Sequence, residues 1–332
     1  MFIELKDISK TFKLFKREAG LKGAVKSFMK RKYQEFTALN NINLNIEKGE
    51  IIGILGENGA GKTTLIKLMI GLLYPTSGSI VVNNYNPWEK KHDYLKQVSI
   101  VMGQKNQLWW DIPASESFLL NKHIYELDDK MYKKTLDELV DYLDVRDKLD
   151  VQVRRLSLGE RMKMEIIAAL LHKPSIVLLD EPTLGLDVIS QSKIREFVKY
   201  YNECYKTTFV ITSHYTKDIQ EMCERVFVLH KGKSVYDGDF NSLIANINPK
   251  RKLIFEFSES SDLSLLDKNL SNFKYNLDDN ILSSIMSDAE LQSLLQILLK
   301  DFKSKNISFE DLPVDEAMKS FFENPSKFLI DL

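Results

Sequence analysis

A glycine-rich stretch near residue 60 carries the residue types that bind phosphate. It reads Gly56-Glu57-Asn58-Gly59-Ala60-Gly61-Lys62-Thr63 and fits the pattern G-x-x-x-x-G-K-[ST]. Glycines let the backbone curl so that successive N–H groups face phosphate oxygens, and a helix N-terminus adds partial positive charge. Lys62 would then reach the β and γ phosphates, and Thr63 would ligate Mg²⁺. We count the adjacent Thr64 among the binding residues.

A second motif is an apolar strand that ends in two carboxylates. Ile176-Val177-Leu178-Leu179 is followed directly by Asp180 and Glu181. Asp180 would hold Mg²⁺ through its water shell, and Glu181 would accept a proton from the water that attacks the γ phosphate. The two motifs predict a nucleoside triphosphatase, but a kinase, a GTPase or another ATPase would fit them equally well.

The elements around these motifs alternate between strand and helix patterns. The apolar run at 51–55 precedes the glycine loop, and residues 62–72 carry apolar side chains at helical spacing. Three further strand patterns, at 175–180, 207–213 and 225–232, are separated by helical ones. This order predicts an α/β fold with a parallel sheet covered on both faces. Residues from about 111 to 160 are rich in helical patterns and are expected to form a helical subdomain.

The choice among triphosphatases depends on Leu156-Ser157-Leu158-Gly159-Glu160-Arg161. This segment resembles the signature motif of ATP-binding cassette (ABC) proteins, usually LSGGQ, with Leu158 in place of glycine and Glu160 in place of glutamine. The resemblance covers residues 2–245 and implies a P-loop ABC ATPase core. It also implies that Ser157, Gly159 and Glu160 contact the ATP bound by an opposite subunit.

Other ABC motifs follow in the family's order. Gln104 matches the Q-loop glutamine, which helps to coordinate Mg²⁺ and senses the membrane partner. Asp187 matches the D-loop aspartate, and His214 matches the switch histidine that contacts the γ phosphate. The resemblance therefore implies that Glu181 and His214 are catalytic, that the cofactors are ATP and Mg²⁺, and that Thr63, Gln104 and Asp180 contact the metal.

One aromatic residue of the family stacks on adenine. Phe12, in Ile8-Ser9-Lys10-Thr11-Phe12, occupies the usual place. A basic insertion follows it, however, and this leaves Tyr33 and Phe36 as alternatives.

The 332 residues carry 46 Lys plus Arg and 47 Asp plus Glu, a formal net charge of −1. This balance argues against a general nucleic-acid binder. It is nevertheless a cancellation, because residues 13–35 carry eight basic and two acidic residues and residues 251–332 carry nine basic and fifteen acidic residues. The two cysteines lie in no metal-ligand spacing, and neither a signal core nor a membrane-spanning run is visible, which favours a reducing cytosolic compartment.

Two further segments each have two interpretations. The basic insertion at 13–35 spaces Leu21, Val25 and Phe28 as an amphipathic helix does, which fits either a solvated helix or one lying against anionic lipid or the permease rim. Trp109 and Trp110 follow the Q-loop glutamine. They would either anchor a membrane partner or pack in the core.

The domain prediction has two parts. Residues 1–245 form the ABC ATPase domain, and residues 246–332 form a small acidic α/β extension. Pro249 with Lys250–Lys252 is the expected linker between them.

The functional expectation is a cytoplasmic, peripheral subunit at the membrane face. Residues 103–113 and the segments around the signature resemble a bacterial exporter-type subgroup related to the drug- and polysaccharide-export branch. Such a subunit pairs with a second one, as a homodimer or heterodimer, around two ATP molecules and drives transport through a separate integral membrane permease. The transported substrate is not encoded here, because the cargo pathway lies in the permease.

Two alternatives remain beside this expectation. A soluble ABC ATPase acting on ribosomes or DNA is disfavoured by the single cassette and by the lack of surplus positive charge. A P-loop kinase is disfavoured by the signature and by His214.

Overall fold

A computed structural model describes residues 1–15, 33–103, 106–247, 250–258, 266, 270, 273–311 and 314–325. The expected amphipathic helix within 13–35 and the Q-loop residue Gln104 lie outside these residues. The chain divides into two compact units, Met1–Phe240 and Asn241–Leu332. Residue 245, the expected boundary, lies within the helix Phe240–Ile247.

The first unit is built on a six-stranded sheet in which five strands are parallel and the last, at one edge, is antiparallel. In chain order its strands are β3 (Ile51–Leu55), β5 (Val98–Met102), β6 (Ile176–Asp180), β7 (Thr208–Ser213), β8 (Arg225–His230) and β9 (Lys233–Asp239). Their spatial order is β5-β6-β7-β3-β8-β9. Every residue of β6 and β7 is buried, as expected for parallel strands covered on both faces. The α/β fold class is confirmed.

The first unit also contains a separate three-stranded antiparallel sheet. Two of its strands come before β3 in the chain, and the third comes between β3 and β5. The sheet consists of β1 (Ile3–Phe15), β2 (Tyr33–Ile46) and β4 (Ser77–Val82), in the order β2-β1-β4. Strand β1 is longer than its apolar start suggests. The ends of the predicted insertion at 13–35 are therefore not inserted sequence, because residues 13–15 and 33–35 pair across β1 and β2.

Helices cover the parallel sheet and form the stretch between β5 and β6. They are α1 (Lys62–Met69), α2 (His92–Leu95), α3 (Ala114–Ile124), α4 (Asp129–Leu143), α5 (Leu158–Leu170), α6 (Val188–Tyr205) and α7 (Thr216–Met222). Helix α8 (Phe240–Ile247) lies at the boundary of the two units. The helix at the signature motif extends well past residue 160, because Ile166, Ile167 and Leu170 carry its buried face onward.

The second unit is an antiparallel sheet with helices. Its strands are β10 (Lys250–Phe257), β11 (Asn276–Asp278), β12 (Ile281–Ser287) and β13 (Ser304–Asp311), and two of its helices are α9 (Asp288–Asp301) and α10 (Val314–Glu323). The strands lie in the order β11-β12-β10-β13. Its core includes Leu253, Phe255, Leu282, Leu294 and Leu298.

Lys250–Lys252, expected as a linker, instead begins strand β10. Lys252 extends across the sheet to Glu310 on β13, with 3.2 Å between Nζ and Oε2. The charge run that suggested an exposed linker is thus the start of a strand, in which Lys252 pairs with an acidic residue across the sheet. None of the helices in the described part of the chain is apolar and long enough to cross a bilayer.

Candidate functional site

The glycine-rich loop joins β3 to α1, as the motif requires. Gly61, the residue before the helix, has φ +112°, and a Cβ there would lie 2.6 Å from Leu39 Cδ2 and 2.8 Å from the Ala38 oxygen. The left-handed backbone and the close approach of β2 both require glycine. The Lys62 ammonium is buried and donates to the Gly56 oxygen at 2.7 Å. The loop therefore curls around its own lysine.

Strand register brings the other motifs to this loop. Leu55 at the end of β3 pairs with Ser213 at the end of β7, and Asp180 at the end of β6 pairs with Thr212. Because parallel strands share a direction, their carboxyl ends meet at one edge of the sheet, where such folds bind ligands. The residues that follow these strands therefore surround a single site.

Asp180 is held by two hydroxyls. The Thr63 hydroxyl donates to its Oδ2 at 2.9 Å, and the Thr212 hydroxyl donates to its Oδ1 at 2.6 Å. Asp180 is only 8% exposed. Its carboxylate and the Thr63 hydroxyl are adjacent hard oxygen donors, the kind that Mg²⁺ accepts alongside water and phosphate. The residues present thus fit the expected metal.

Glu181 has an unusual backbone and three close neighbours. Its φ is +57°, a region that residues other than glycine seldom adopt. The Glu181 N–H donates to the Thr212 oxygen at 3.1 Å. Its carboxylate lies 3.5 Å from Lys62 Nζ and contacts His214 Nδ1 through the other oxygen. The strained turn therefore directs the carboxylate toward the lysine and the histidine.

A cavity of about 530 Å³ lies where these residues meet. Among the residues predicted from the sequence, those that line it are Phe12, Glu57, Asn58, Gly59, Gly61, Lys62, Thr63, Thr64, Asp180, Glu181 and His214, together with the alternative aromatic Phe36. Phe12 and Phe36 are direct partners across β1 and β2, so both rings reach the cavity. Tyr33 pairs with Phe15 at the far end of the hairpin.

The signature residues lie at the start of α5. The Ser157 hydroxyl accepts from the Glu160 N–H at 3.2 Å, and the Glu160 carboxylate accepts from the Ser157 N–H at 2.8 Å, which forms a capping box. The Ser157 N–H is also the main reason that the pKa of Glu160 lies below its ordinary value. Either glutamate or glutamine can close this box, so the departure at Glu160 preserves the local structure.

Gly159 lies against the D-loop of its own chain. A Cβ at residue 159 would lie 2.2 Å from Ser190 Oγ and 3.4 Å from Asp187 Oδ2. Asp187 caps helix α6, because its carboxylate accepts the Ser190 N–H at 2.9 Å and the Ser190 hydroxyl at 2.6 Å. The Ser190 hydroxyl is also the largest cause of the lowered pKa of Asp187. The signature and the D-loop thus form one continuous surface.

The predicted residues divide into two groups in space. Of the described residues, Ser157, Gly159, Glu160 and Asp187 are not among those that line the cavity, and within the glycine-rich loop Gly56 and Ala60 do not line it either. Gln104 lies outside the described residues, but the strand before it is fixed, because the Gly103 N–H donates to the Asp180 oxygen at 2.8 Å.

Sequence motifs did not identify Thr212 as a site residue. Its hydroxyl both donates to Asp180 and accepts the Glu181 N–H at 3.1 Å. The sequence does place Thr212 two residues before His214, at the end of a predicted strand, and so at the same sheet edge as Asp180. Only the β6–β7 register shows that the two residues pair. Lys67, Met102 and Leu184 also line the cavity without having been predicted.

Comparison with known families gives one domain match. A family model described as ABC transporter matches residues 39–184. That range includes the glycine-rich loop, the signature and Glu181.

Several curated proteins resemble this chain. The ATP-binding protein NatA of Bacillus subtilis is 34% identical over 206 residues, which are 62% of this chain and 83% of NatA. The bacitracin transport ATP-binding protein BcrA of Bacillus licheniformis is 30% identical, over 70% of this chain and 74% of BcrA. The methionine import ATP-binding protein MetN of Haemophilus influenzae is also 30% identical, over 72% of this chain and 70% of MetN.

Solved structures share the fold. The structure of an ATP-binding subunit of an ABC transporter aligns with a TM-score of 0.60 and 23% identity, over 73% of this chain and 92% of that one. A dimeric ATP-binding cassette in a post-hydrolysis state, bound to ADP and Pi, aligns with a TM-score of 0.59 and 25% identity, over 71% and 98% of the two chains.

Proposed function

Because this chain belongs to the ATP-binding proteins of ABC transporters, we propose the following roles for its residues and the following partners. The chain is an ATP-binding and ATP-hydrolysing transporter subunit. The observation that carries the residue assignments is the convergence of Lys62, Asp180, Glu181 and His214 on one cavity.

The glycine-rich loop would bind the phosphates of ATP. Residues of the loop and of the start of α1 line the cavity, and Lys62 would exchange its bond to the Gly56 oxygen for phosphate oxygens. Thr63 and Asp180 would hold Mg²⁺, with Gln104 as a further ligand. When bound, Mg²⁺ would neutralise charge on the β and γ phosphate oxygens.

Glu181 would act as the general base. A water placed between its carboxylate and the γ phosphorus would lose a proton to Glu181 as its oxygen forms the new P–O bond, and ADP would leave as the old bond breaks. His214 contacts Glu181 and would also reach a γ phosphate oxygen. His214 would thereby hold the Glu181 carboxylate and the γ phosphate in position relative to each other.

Phe12 would stack on the adenine. It is half-buried and lines the cavity, whereas Phe36 is 50% exposed. The Lys10 ammonium lies 5.1 Å from the centre of the Phe12 ring, which helps to fix that ring in place. A ring that is already held loses less entropy on stacking than an exposed one does.

A second copy of the chain would complete each site. Neither Ser157 nor Gly159 lines the cavity of its own chain. Ser157 is exposed, Gly159 is buried against Ser190, and Leu158, Val188 and Ile189 are exposed beside them. Val188 and Ile189 are 71% and 82% exposed, which is unusual for neighbouring aliphatic residues and typical of a protein contact. One chain thus carries both sets of residues that a two-ATP sandwich needs, so two copies of it would suffice, as would this chain with a related subunit. Glu160 and Asp187 would hold these contacting residues in place through their hydrogen bonds to Ser157 and Ser190.

A groove in the first unit would receive the membrane permease. About 390 Å³ in volume, it is lined by residues that include Leu72, Leu95, Ile100, Gln107 and Ile124. Leu72, Leu95 and Ile124 are all exposed. An apolar groove close to the Q-loop fits an amphipathic helix from an integral membrane protein.

Trp109 and Trp110 lie in the segment that follows Gln107. Their side chains are 62% and 46% exposed, so neither packs in the core. Trp110 lies 5.2 Å from the Arg161 guanidinium, whereas Trp109 extends into solvent. Trp109 would therefore anchor the permease contact, because aromatic residues dominate the energy of such interfaces.

The subunit would work at the cytoplasmic face of the membrane as a peripheral protein. Export is the proposed direction, because residues 103–113 and the segments around the signature resemble the exporter-type subgroup. The relatives themselves include one named for bacitracin transport and one named for methionine import.

The test of this proposal has two arms. In the first arm, the purified chain with Mg-ATP should release phosphate without any phosphoacceptor. In the second arm, the chain expressed in its native host should co-purify with an integral membrane protein. Failure to hydrolyse ATP would contradict the site assignment. Co-purification with ribosomes or DNA instead of a membrane protein would contradict the transport role.

A further inference from the structure

A buried carboxylate contacts the residue before His214 and a residue shortly after Glu181. Asp218, on α7, is 2% exposed. Its Oδ2 accepts the Ser213 hydroxyl at 3.1 Å and also the Thr183 hydroxyl. Ser213 immediately precedes His214, and Thr183 lies two residues after Glu181. One carboxylate therefore links the two turns that carry the base and the switch histidine.

The other oxygen of Asp218 is bound by Arg195 on α6. The Arg195 Nη1 donates to Oδ1 at 2.9 Å, and Arg195 is 4% exposed. Gln191 on the same helix donates to the Thr183 oxygen at 3.3 Å. The first turn of this helix is the one that contacts Gly159 through Ser190. Helix α6 thus extends from the signature surface to Asp218.

The backbone at Glu181 makes such support necessary. A glutamate in the left-handed region persists only where its surroundings hold it, and such strain is typical of functional turns. The Glu181 N–H is bound by Thr212 on one side. Through Thr183, Asp218 binds the other side of the same turn.

We propose that Asp218, held by Arg195, is a positioning residue that sets the placement of Glu181 against His214. Since α6 also contacts the signature, movement at that surface reaches the base through the same ion pair. This inference rests on the proposed roles of Glu181 and His214, and it assigns Asp218 no contact with ATP.

The first test is Asp218→Asn. The amide keeps the size of the side chain but loses the charge that binds Arg195 and two hydroxyls. We expect kcat for ATP to fall roughly 10- to 100-fold, since small misplacements of a catalytic group have effects of that size. The KM and the ATP dissociation constant should stay within about twofold, because the phosphate loop is untouched. Glu221→Gln is the matched control, since Glu221 Oε2 lies 2.6 Å from Arg195 Nε but contacts neither turn. It should keep the parent kcat.

A second pair of variants separates positioning from packing. Thr183→Ser keeps the hydroxyl and removes a methyl group, whereas Thr183→Val keeps the shape and removes the hydroxyl. Positioning by Asp218 predicts a parent-like kcat for Thr183→Ser and a fall like that of Asp218→Asn for Thr183→Val. A packing role predicts the opposite order and would overturn the inference. This pair also answers the question if Asp218→Asn fails to fold.

Parent-level kcat in Asp218→Asn and in Thr183→Val, or a change confined to KM, would likewise overturn it. Failure of the proposed function is a separate outcome, because the unmodified chain would then release no phosphate.

Discussion

Two regions of the first unit divide the predicted site residues between them. The cavity region comprises Phe12 and residues 56–64, 180, 181 and 214, and the signature region comprises residues 157–160 and 187–190. In the cavity region Lys62 and Asp180 are buried and bound by groups of the same chain. In the signature region Val188 and Ile189 lie in solvent beside two capped helix ends.

The two regions differ in where their side chains find partners, either within the chain or on another molecule. A buried charge must be bound within its own fold, because an unpaired one is costly. The buried charges of the cavity region are therefore bound by groups of their own chain. The signature region has its polar groups used in local caps and its apolar side chains exposed, which suits a surface that docks on another molecule.

The largest expected effect is in the cavity region. Glu181→Gln keeps the contacts of the turn but removes the base, so the rate of phosphate release should fall about 10²- to 10⁴-fold. ATP binding, measured by equilibrium titration, should persist. Glu89→Gln, an exposed carboxylate outside the cavity, should keep the parent rate. Equal rates for Glu181→Gln and the parent would show that another group is the base.

The next effect separates the two regions. Gly159→Ala places a Cβ 2.2 Å from Ser190 Oγ, so the signature helix must move away from the D-loop. Hydrolysis should fall at least roughly tenfold, which corresponds to about 1.4 kcal/mol in the barrier. The affinity of the isolated chain for ATP should be unchanged. A variant that loses ATP binding instead would show that the two regions are not separate.

Ser190→Gly in the same chain tests the stated cause. It removes Ser190 Oγ and Cβ, which would lie 2.2 and 2.8 Å from the new Cβ, so it should restore part of the activity of Gly159→Ala. No recovery would mean that Gly159 is required for a reason other than its distance from Ser190.

Adenine stacking should give a smaller change, confined to the cavity region. Phe12→Ala should raise the dissociation constant for ATP by roughly tenfold, since stacking of a base on an aromatic ring contributes about 1–3 kcal/mol. Phe36→Ala and Tyr33→Ala are the controls, and each should change it less than threefold. If Phe36→Ala has the larger effect, the exposed partner across the hairpin is the stacking residue.

The smallest expected effect concerns the cap of the signature helix. Glu160→Ala should cost about 0.3–1 kcal/mol of stability, as expected for a carboxylate at a helix N-terminus. Because the pKa of Glu160 is lowered in the fold, its contribution is present above its ordinary pKa of 4.5 and is lost as pH falls through the lowered value. Urea unfolding across this acid range should show a smaller pH dependence in Glu160→Ala. An identical dependence in both proteins would contradict the cap.

The structure brings the motifs of the cavity region together, and each of these motifs belongs to one short segment. The apolar strand before Asp180 and the strand before His214 are readable locally, and parallel strands bring their ends together. Other features depend on long-range register. Thr212, Asp218 and the pairing of Phe12 with Phe36 join residues 24 to 35 positions apart, which spacing alone does not specify.

Charge was a poorer guide than apolar pattern. Lys250–Lys252 indicated a linker but forms a strand, because a lysine can point outward from a sheet and pair with Glu310. The insertion at 13–35 was likewise set too wide, because strand pairing extends the hairpin into its basic ends.

Under the proposed function, the signature region of one chain completes the cavity region of another. The molar mass of Glu181→Gln in solution, measured by light scattering with and without saturating Mg-ATP, tests this assembly. We expect a monomer of 38.4 kDa without nucleotide and, with it, a stable dimer that holds two ATP molecules. A chain that binds ATP and remains monomeric would contradict it.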